Sequence, residues 1–259
     1  MGKIVSIHSF RGGTGKSNMT ANLAAQAALA SKRVGIVDTD IQSPGIHVLF
    51  GLDESKMGKT LNDFLYKRCE IGEVAFSIGE KASDSEGRRQ LAGKQIWLFP
   101  SSIRGREISQ VLRDGYDVSR LNEGLQNLMK ELKLDYLFID THPGLNEETL
   151  LSIAISDVLV IILRPDNQDF QGTAVTVDIA RSLDVPNLLL AINKALPKYD
   201  PAAIKQEVEQ RFHAPVAGVL PLSFDMAENA SRDLFSLRFP DHLWSVALRQ
   251  VADAVLSAK

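Results

Sequence analysis

Cysteine is almost absent: Cys69 is the single one in 259 residues. That excludes an internal disulfide and an intrachain Cys-x-x-Cys metal or redox site, and a reducing, cytoplasmic setting is expected. Long apolar runs are missing as well. Nowhere do about 18 apolar residues follow one another, and the N-terminus offers Lys3 and a short alternating stretch without an export-type apolar segment. The chain is therefore expected neither to be exported nor to span a membrane. An excess of one charge is also lacking. The 29 basic and 32 acidic residues leave a formal charge of −3, so any binding to nucleic acid or an anionic surface must be local. No internal repeat or linker divides the chain. Apolar content, by contrast, is ample at 44%, and one domain over residues 1–259 is expected.

The stretch SFRGGTGKS, Ser9 to Ser17, follows an alternating apolar run (Ile4, Val5, Ile7) and precedes an alanine-rich helical pattern. It sits where a strand turns into a helix. Three glycines let consecutive N–H groups converge on one concavity, and the helix N-terminus adds partial positive charge. An ordinary tight turn is the alternative, but Gly-Lys-Ser between strand and helix favours a phosphate site. Lys16 would then reach the β- and γ-phosphates and the Ser17 hydroxyl would ligate Mg²⁺. Gly12, Gly13, Thr14, Gly15 and Asn18 complete the expected nucleotide-binding loop.

Further strands end in chemistry. Val34 to Val37 reads as buried and runs into Asp38-Thr39-Asp40, and its short link to the first helix suggests a right-handed βαβ unit with a parallel sheet. Two acids there lie at the ligand-binding edge of such sheets, although strand-end and helix-capping acids are the alternative. Tyr136 to Asp140 repeats the form, an apolar strand closed by an acid. Asp157 to Leu163 has the composition of a central strand. Leu188 to Ile192 is another, ending at Asn193-Lys194. A guanine-binding Asn-Lys-x-Asp pattern needs a carboxylate where this chain has Leu196, which accepts nothing, so adenine is favoured.

Elsewhere short helices are expected over Ile46 to Leu52 and over Thr60 to Tyr66, the latter capped by Thr60 with Asp63 three residues on. Gly79 to Lys94 lacks apolar periodicity and reads as an exposed loop whose Arg88-Arg89 pair is solvated or touches phosphate or an acidic partner. Gln95 to Phe99 is a strand signal, and Ser101-Ser102 could cap the next helix. Helices are expected over Gln171 to Leu183 and Tyr199 to Phe212, with a last strand at Val216 to Leu220. Residues 241 to 256 are amphipathic, with Trp244, Leu248, Val251 and Val255 on one face that packs on the sheet.

Arg11-Gly12-Gly13-Thr14-Gly15-Lys16-Ser17 resembles the deviant Walker A motif, K-G-G-x-G-K-[ST], of the ParA/MinD family of positioning ATPases, with Arg11 at the signature lysine. Val37-Asp38-Thr39-Asp40 resembles that family's switch I, and Asp140-Thr141-His142-Pro143-Gly144 its switch II. The resemblance implies an α/β P-loop NTPase fold, a mostly parallel twisted sheet with helices on both faces. It also implies ATP and Mg²⁺: Asp38 would support the hydrated ion, Asp140 would bind it through water, and Asp40 would orient the attacking water. Asn193 and the loop at Pro221 would hold the base, and Arg11 would cross an ATP-dependent homodimer interface to the partner's phosphates. An accessory protein would set the rate, and the output would be positioning of a cargo. His142 is expected to hydrogen-bond locally. Two competitors stay open: a transferase moving the γ-phosphoryl to a small carboxylate or amine, and a non-hydrolysing binding module. Iron–sulfur relatives are set aside because one cysteine cannot supply their paired ligands.

Between Asp241 and Ser257 the only cation is Arg249, so membrane binding is not expected. Lys194, Lys198, Lys205, Arg211, Arg232 and Arg238 could converge on DNA, although interleaved acids favour a solvated face. Salt-sensitive nonspecific DNA binding is the most that is expected.

Overall fold

The structure, a computed structural model, describes residues 2–81 and 85–259. Its elements run in chain order as β1 (Lys3–His8), α1 (Lys16–Leu29), β2 (Val34–Asp38), α2 (Ile46–Leu49), α3 (Leu61–Leu65), β3 (Phe76–Ser77), α4 (Ile78–Lys81) and β4 (Ile96–Phe99). There follow α5 (Gly105–Asp114), α6 (Val118–Glu131), β5 (Tyr136–Asp140), α7 (Glu147–Ala154), β6 (Val158–Leu163) and α8 (Asn167–Ser182). The chain closes with β7 (Asn187–Ala195), α9 (Pro201–Phe212), β8 (Val216–Pro221), α10 (Phe224–Asn229), α11 (Phe235–Arg238) and α12 (Leu243–Ser257).

The strands form one sheet in the order β3-β4-β2-β5-β1-β6-β7-β8. Every pairing is parallel except β3 with β4, an antiparallel two-residue edge that the sequence pattern does not signal. Alternation along each strand feeds two faces. Val5 and Ile7 of β1, Val34 and Ile36 of β2, and Val158, Val160 and Ile162 of β6 join a core under α1 and α12. Ile4, Val37, Leu137 and Ile139 join the opposite core with α3 and α6, and Leu159, Ile161 and Leu163 join one with α8 and α9. Strands buried on both faces lose the polar half of their pattern, which is why β5 and β6 read as continuous apolar runs.

Alanines make α1 both helical and thin. Ala21, Ala24, Ala25, Ala27 and Ala28 are all buried, so the helix carries little bulk between its axis and the sheet and keeps its N-terminus against the ends of β1, β2 and β5. It ends where Ser31 turns left-handed at φ 61° and the Lys32 N–H donates to Ala27 O at 3.2 Å. At the far end, a Cβ on Gly218 would lie 2.7 Å from Val251 Cγ2. Bare backbone on β8 thus lets α12 approach, and its Trp244, Leu248, Val251 and Val255 are buried as the amphipathic pattern implies.

Several expected boundaries move. The helix expected to Leu52 stops at Leu49, and those expected from Gln171 and Tyr199 start at Asn167 and Pro201, where Asp166 and Asp200 accept from Asp169 N–H and Ala202 N–H. The stretch from Gly79 to Lys94 is not a simple exposed loop. It contains the end of α4 and a 3₁₀ turn at Arg88–Leu91 with Leu91 buried, while residues 82–84 lie outside the described residues. Arg88 is structural, since its Nη1 donates to Leu49 O and Arg232 O at 3.2 and 2.8 Å. Ser101 and Ser102 cap no helix. Ser101 Oγ donates to Asp38 O at 2.6 Å and Ser102 N–H to Asn62 Oδ1 at 2.8 Å, so both serve the loop after β4, and α5 begins only at Gly105. The capping box at Thr60 and Asp63 is present as expected.

Candidate functional site

The loop after β1 turns left-handed at Gly13 (φ 77°) and Gly15 (φ 95°) and delivers Lys16 as the first residue of α1. Two residues of β7 hold its outer side. Asn193 Nδ2 donates to Thr14 O and Lys194 Nζ donates to Gly13 O, both at 2.7 Å. In trans peptides the N–H points opposite to the C=O, so tying these carbonyls outward turns the N–H groups of Thr14 and Gly15 toward the concavity. The cavity they line has a volume of about 270 Å³ and is bounded by residues 12–18 with Ser9, Asp40, Ser43 and Pro143. Gly15 is required twice over. Besides its positive φ, a Cβ there would sit 2.5 Å from Asn193 Nδ2.

At the floor of the loop charge is concentrated where water is excluded. Asp38 and Asp140 are register partners on β2 and β5, and both are fully buried. Lys16 Nζ lies 3.1 Å from Asp140 Oδ1 and 4.0 Å from Asp40 Oδ2, and Thr20 Oγ1 donates to Asp140 Oδ1 at 2.9 Å. Burial first, and then the Asp140 charge, push the Asp38 carboxyl well above the usual carboxylate range. One oxygen of each acid, Asp38 Oδ2 and Asp140 Oδ2, is buried with no hydrogen-bond partner. Two adjacent acids with an unpartnered oxygen apiece, one of them also paired with the Lys16 ammonium, suit a hard divalent cation bound with its water shell. Ser17, on the same turn as Lys16, lines the cavity above them.

Asp40 is held differently. Its Oδ1 accepts from Ser43 Oγ at 2.9 Å and Ser43 N–H at 3.3 Å, which aims the carboxylate at the cavity rather than into the sheet. His142 Nδ1 bonds Pro143 O at 2.6 Å and its Nε2 stays 3.9 Å from Asp40 Oδ1, so this histidine hydrogen-bonds locally. The switch-like loop is tied to β1 by Thr141, whose Oγ1 donates to Ile7 O at 3.0 Å. That hydroxyl therefore accepts from His8 Nδ1 at 2.9 Å. Burial first, and then the Lys16 charge, lower the His8 pKa from 6.5 to about 3.

Arg11 folds back onto its own chain. Its Nη1 donates to Gln168 Oε1 and its Nε lies 3.9 Å from Asp169 Oδ1, at the start of α8. Asp169 is itself gripped by Arg164, Nε to Oδ2 at 2.9 Å and Nη2 to Oδ1 at 3.0 Å. Of the cations considered for DNA, Lys194 holds Gly13 O, Lys205 lies 3.9 Å from Glu209, and Arg211 and Arg238 stack on Phe170 and Phe239.

A second cavity, of about 240 Å³, adjoins the loop and gathers Gly15, Asn18, Asn193 and Pro221 with Leu222, Ser223, Met226 and Trp244. The sequence-predicted residues Asn18, Asn193 and Pro221 thus meet at one place. Thr20, Ser43 and Trp244 escape sequence reasoning as site residues, and Lys194, named beside Asn193 and among the cations considered for DNA, instead holds the loop through Gly13 O. Thr20 had a usable signal, since it stands one helical turn after Lys16; Trp244 had none, being hidden in an ordinary amphipathic stripe.

The family model described as an AAA domain matches residues 2–188. An uncharacterized ATP-binding protein of Methanocaldococcus jannaschii is 24% identical over 98% of this chain and 88% of its own length. The iron–sulfur cluster carrier protein of Rickettsia conorii is 26% identical over 90% of this chain, which spans only 65% of the carrier. Among solved structures, the cell division ATPase MinD of Pyrococcus furiosus superposes with a TM-score of 0.81 at 19% identity over the whole of both chains. MinD of Pyrococcus horikoshii, complexed with Mg-ADP, gives 0.79 at 19% identity over 99% of this chain and 97% of that one. A plasmid partition protein of Borrelia burgdorferi bound to AMPPNP gives 0.75 at 17% identity over 99% of each.

Proposed function

The chain belongs to the ParA/MinD family of P-loop ATPases, and on that premise we propose that it binds and hydrolyses Mg·ATP as a dimerisation switch that positions a cellular cargo. The observation that carries the Mg·ATP part of this reading is the pair of unpartnered buried oxygens, Asp38 Oδ2 and Asp140 Oδ2, beneath a loop whose carbonyls are tied outward, while the switch and the cargo come from the family alone. That arrangement has little use without a polyphosphate and its cation.

In this reading the loop N–H groups and Lys16 hold the β- and γ-phosphates, and Lys16 moves from Asp140 toward them. Ser17, Asp38 and Asp140 would hold Mg²⁺, which when bound neutralises charge on the phosphate oxygens. Asp40, fixed by Ser43 and facing the cavity, orients the attacking water in line with the leaving oxygen. Phosphoanhydride hydrolysis asks little else of the protein than position and charge. Asn193 and the Pro221 loop receive adenine. Arg11 acts across the ATP-dependent homodimer after leaving Gln168, and an adaptor protein of unidentified nature sets the turnover. Any DNA binding is nonspecific and salt-sensitive. No described helix is long and apolar enough to cross a membrane.

Release of inorganic phosphate from ATP with no added acceptor, together with ATP-dependent dimer formation in analytical ultracentrifugation, is the expected result. Phosphate transfer strictly dependent on a small carboxylate or amine would favour the transferase, and binding without turnover a non-hydrolysing module. The likeness to carrier proteins does not extend to cluster chemistry in this reading, because these 259 residues hold one cysteine and it is buried away from the loop. Arg11→Ala should weaken ATP-dependent dimerisation about tenfold while leaving monomer nucleotide affinity within a few-fold, as loss of a charge-assisted hydrogen bond implies. Light scattering that finds equal dimer in both proteins removes Arg11 from the interface.

A further inference from the structure

The base cavity holds an interaction that the proposed phosphate chemistry does not need. Trp244 comes from the first turn of α12, and its indole Nε1–H donates to Asn193 Oδ1 at 3.3 Å. Asn193 simultaneously donates from Nδ2 to Thr14 O at 2.7 Å. Both side chains are buried. The indole plane is fixed in turn by Phe235, edge-on at 5.7 Å and 88°, and the Trp244 backbone N–H by His242 Nδ1 at 3.0 Å.

These partners leave the Asn193 carboxamide one orientation. Rotating it by half a turn would set its NH₂ against the indole N–H and its oxygen against the Thr14 carbonyl, two like-against-like contacts in a dry site. In the orientation observed, Asn193 keeps one lone pair on Oδ1 and one hydrogen on Nδ2 for a ligand. Adenine presents N7 as acceptor beside N6–H₂ as donor along one edge, whereas guanine presents N7 and O6, both acceptors. An amide that offers one acceptor and one donor side by side complements the first edge and opposes the second. Thr14 O selects the nitrogen on one side of the carboxamide, and the indole N–H adds on the other side a donor that only the oxygen can answer.

We propose that Trp244 is the positioning residue for base selection: its N–H locks the Asn193 carboxamide in the orientation that accepts adenine and rejects guanine. This rests on the reading of the loop and its acids as a nucleotide site. It assigns to the C-terminal helix, outside the residues of the phosphate loop and both acid-bearing strands, a part in choosing the substrate.

The test is calorimetry on the full chain with Mg·ATP, Mg·GTP and Mg·tripolyphosphate, the last carrying phosphates and no base. The wild type should prefer ATP to GTP by about tenfold or more, in the range of one bidentate asparagine–adenine contact. Trp244→Phe should bring that ratio down about tenfold while tripolyphosphate affinity stays within about twofold. Replacing residue 244 with benzothienylalanine, which removes the N–H at unchanged shape, should do the same and decides the matter if the Phe variant fails to fold. In an Asn193→Ala background neither change should alter the ratio further. An unchanged ATP to GTP ratio in the benzothienylalanine protein overturns the inference alone, as does an equal loss of ATP, GTP and tripolyphosphate, which would mean that Trp244 merely braces the loop. A wild type that binds neither ATP nor tripolyphosphate overturns the nucleotide-site reading and the inference with it.

Discussion

The two ends of the candidate site are finished to different degrees. At the phosphate end, between β1, β2 and β5, Asp40 and Asp140 share Lys16, and the buried Oδ2 atoms of Asp38 and Asp140 have no partner. At the base end, between β7, β8 and α12, the polar atoms of Asn193 and Trp244 satisfy each other and the loop. In the proposed reading the phosphate end, with its buried unpartnered oxygens, gains from binding its ligand, while the base end, whose polar atoms are already held, gains mainly in selectivity. Charge that must be answered by a ligand can be left raw, since the ligand brings charge of its own; a choice between two neutral bases needs donors and acceptors that are already fixed.

The largest expected effect breaks the phosphate end. Lys16→Ala removes the ammonium that pairs with Asp140 and Asp40, and Mg·ATP affinity should fall at least about 100-fold, as for loss of one partner from a buried charge pair. Undiminished affinity by calorimetry would sink the assignment of the loop. Next, Asp40→Ala should leave Mg·ATP binding within a few-fold but lower turnover about 100-fold or more, in keeping with loss of a water-positioning carboxylate. A variant that releases phosphate at the normal rate places that role elsewhere.

Gly15 joins the two ends, and Gly15→Ala should injure both. The positive φ of 95° and the 2.5 Å approach to Asn193 Nδ2 imply about 2 kcal/mol of lost stability, to be read from urea unfolding. A neutral result would mean that loop and amide separate easily.

An effect of the same size at pH 5, vanishing at neutral pH, is one of protonation. His8 has its pKa lowered to about 3 in the fold by burial and then by Lys16, against 6.5 when unperturbed. The unfolded chain therefore takes up a proton that the folded chain refuses. Stability contributed above pH 6.5 is lost as pH falls toward 3, by about 2 kcal/mol at pH 5. His8→Gln, which cannot be protonated, should flatten the fall between pH 7 and pH 5 in denaturant titrations. An identical slope in the variant would show that His8 is already wet.

Much of the frame was legible without a structure. Apolar runs closed by Asp38, Asp140 and Asn193 announced strands whose ends share one edge, because a strand buried on both faces has to be apolar until it surfaces. The edge strand Phe76–Ser77 was not legible, since two residues carry no period. Nor was the turn at Arg88–Leu91, where one buried leucine and the Arg88 contacts to Leu49 O and Arg232 O replace any apolar stripe. Ser101 and Ser102 looked like caps because their hydroxyl chemistry is the same whether the partner is a helix end or a neighbouring loop.

What the sequence determined alone is what lies within a few residues: the glycines of the loop, the lysine between loop and helix, and the acids that end β2 and β5. Backbone conformation and burial period act over that range. Only the tertiary structure decided the partners. Asn193 meets Thr14 across 179 residues and Trp244 across 51, and Arg11 meets Gln168 across 157. A hydrogen bond's geometry depends on where two distant elements pack, and no local pattern records which carbonyl or amide will stand within about 3 Å of a given donor once the sheet has formed.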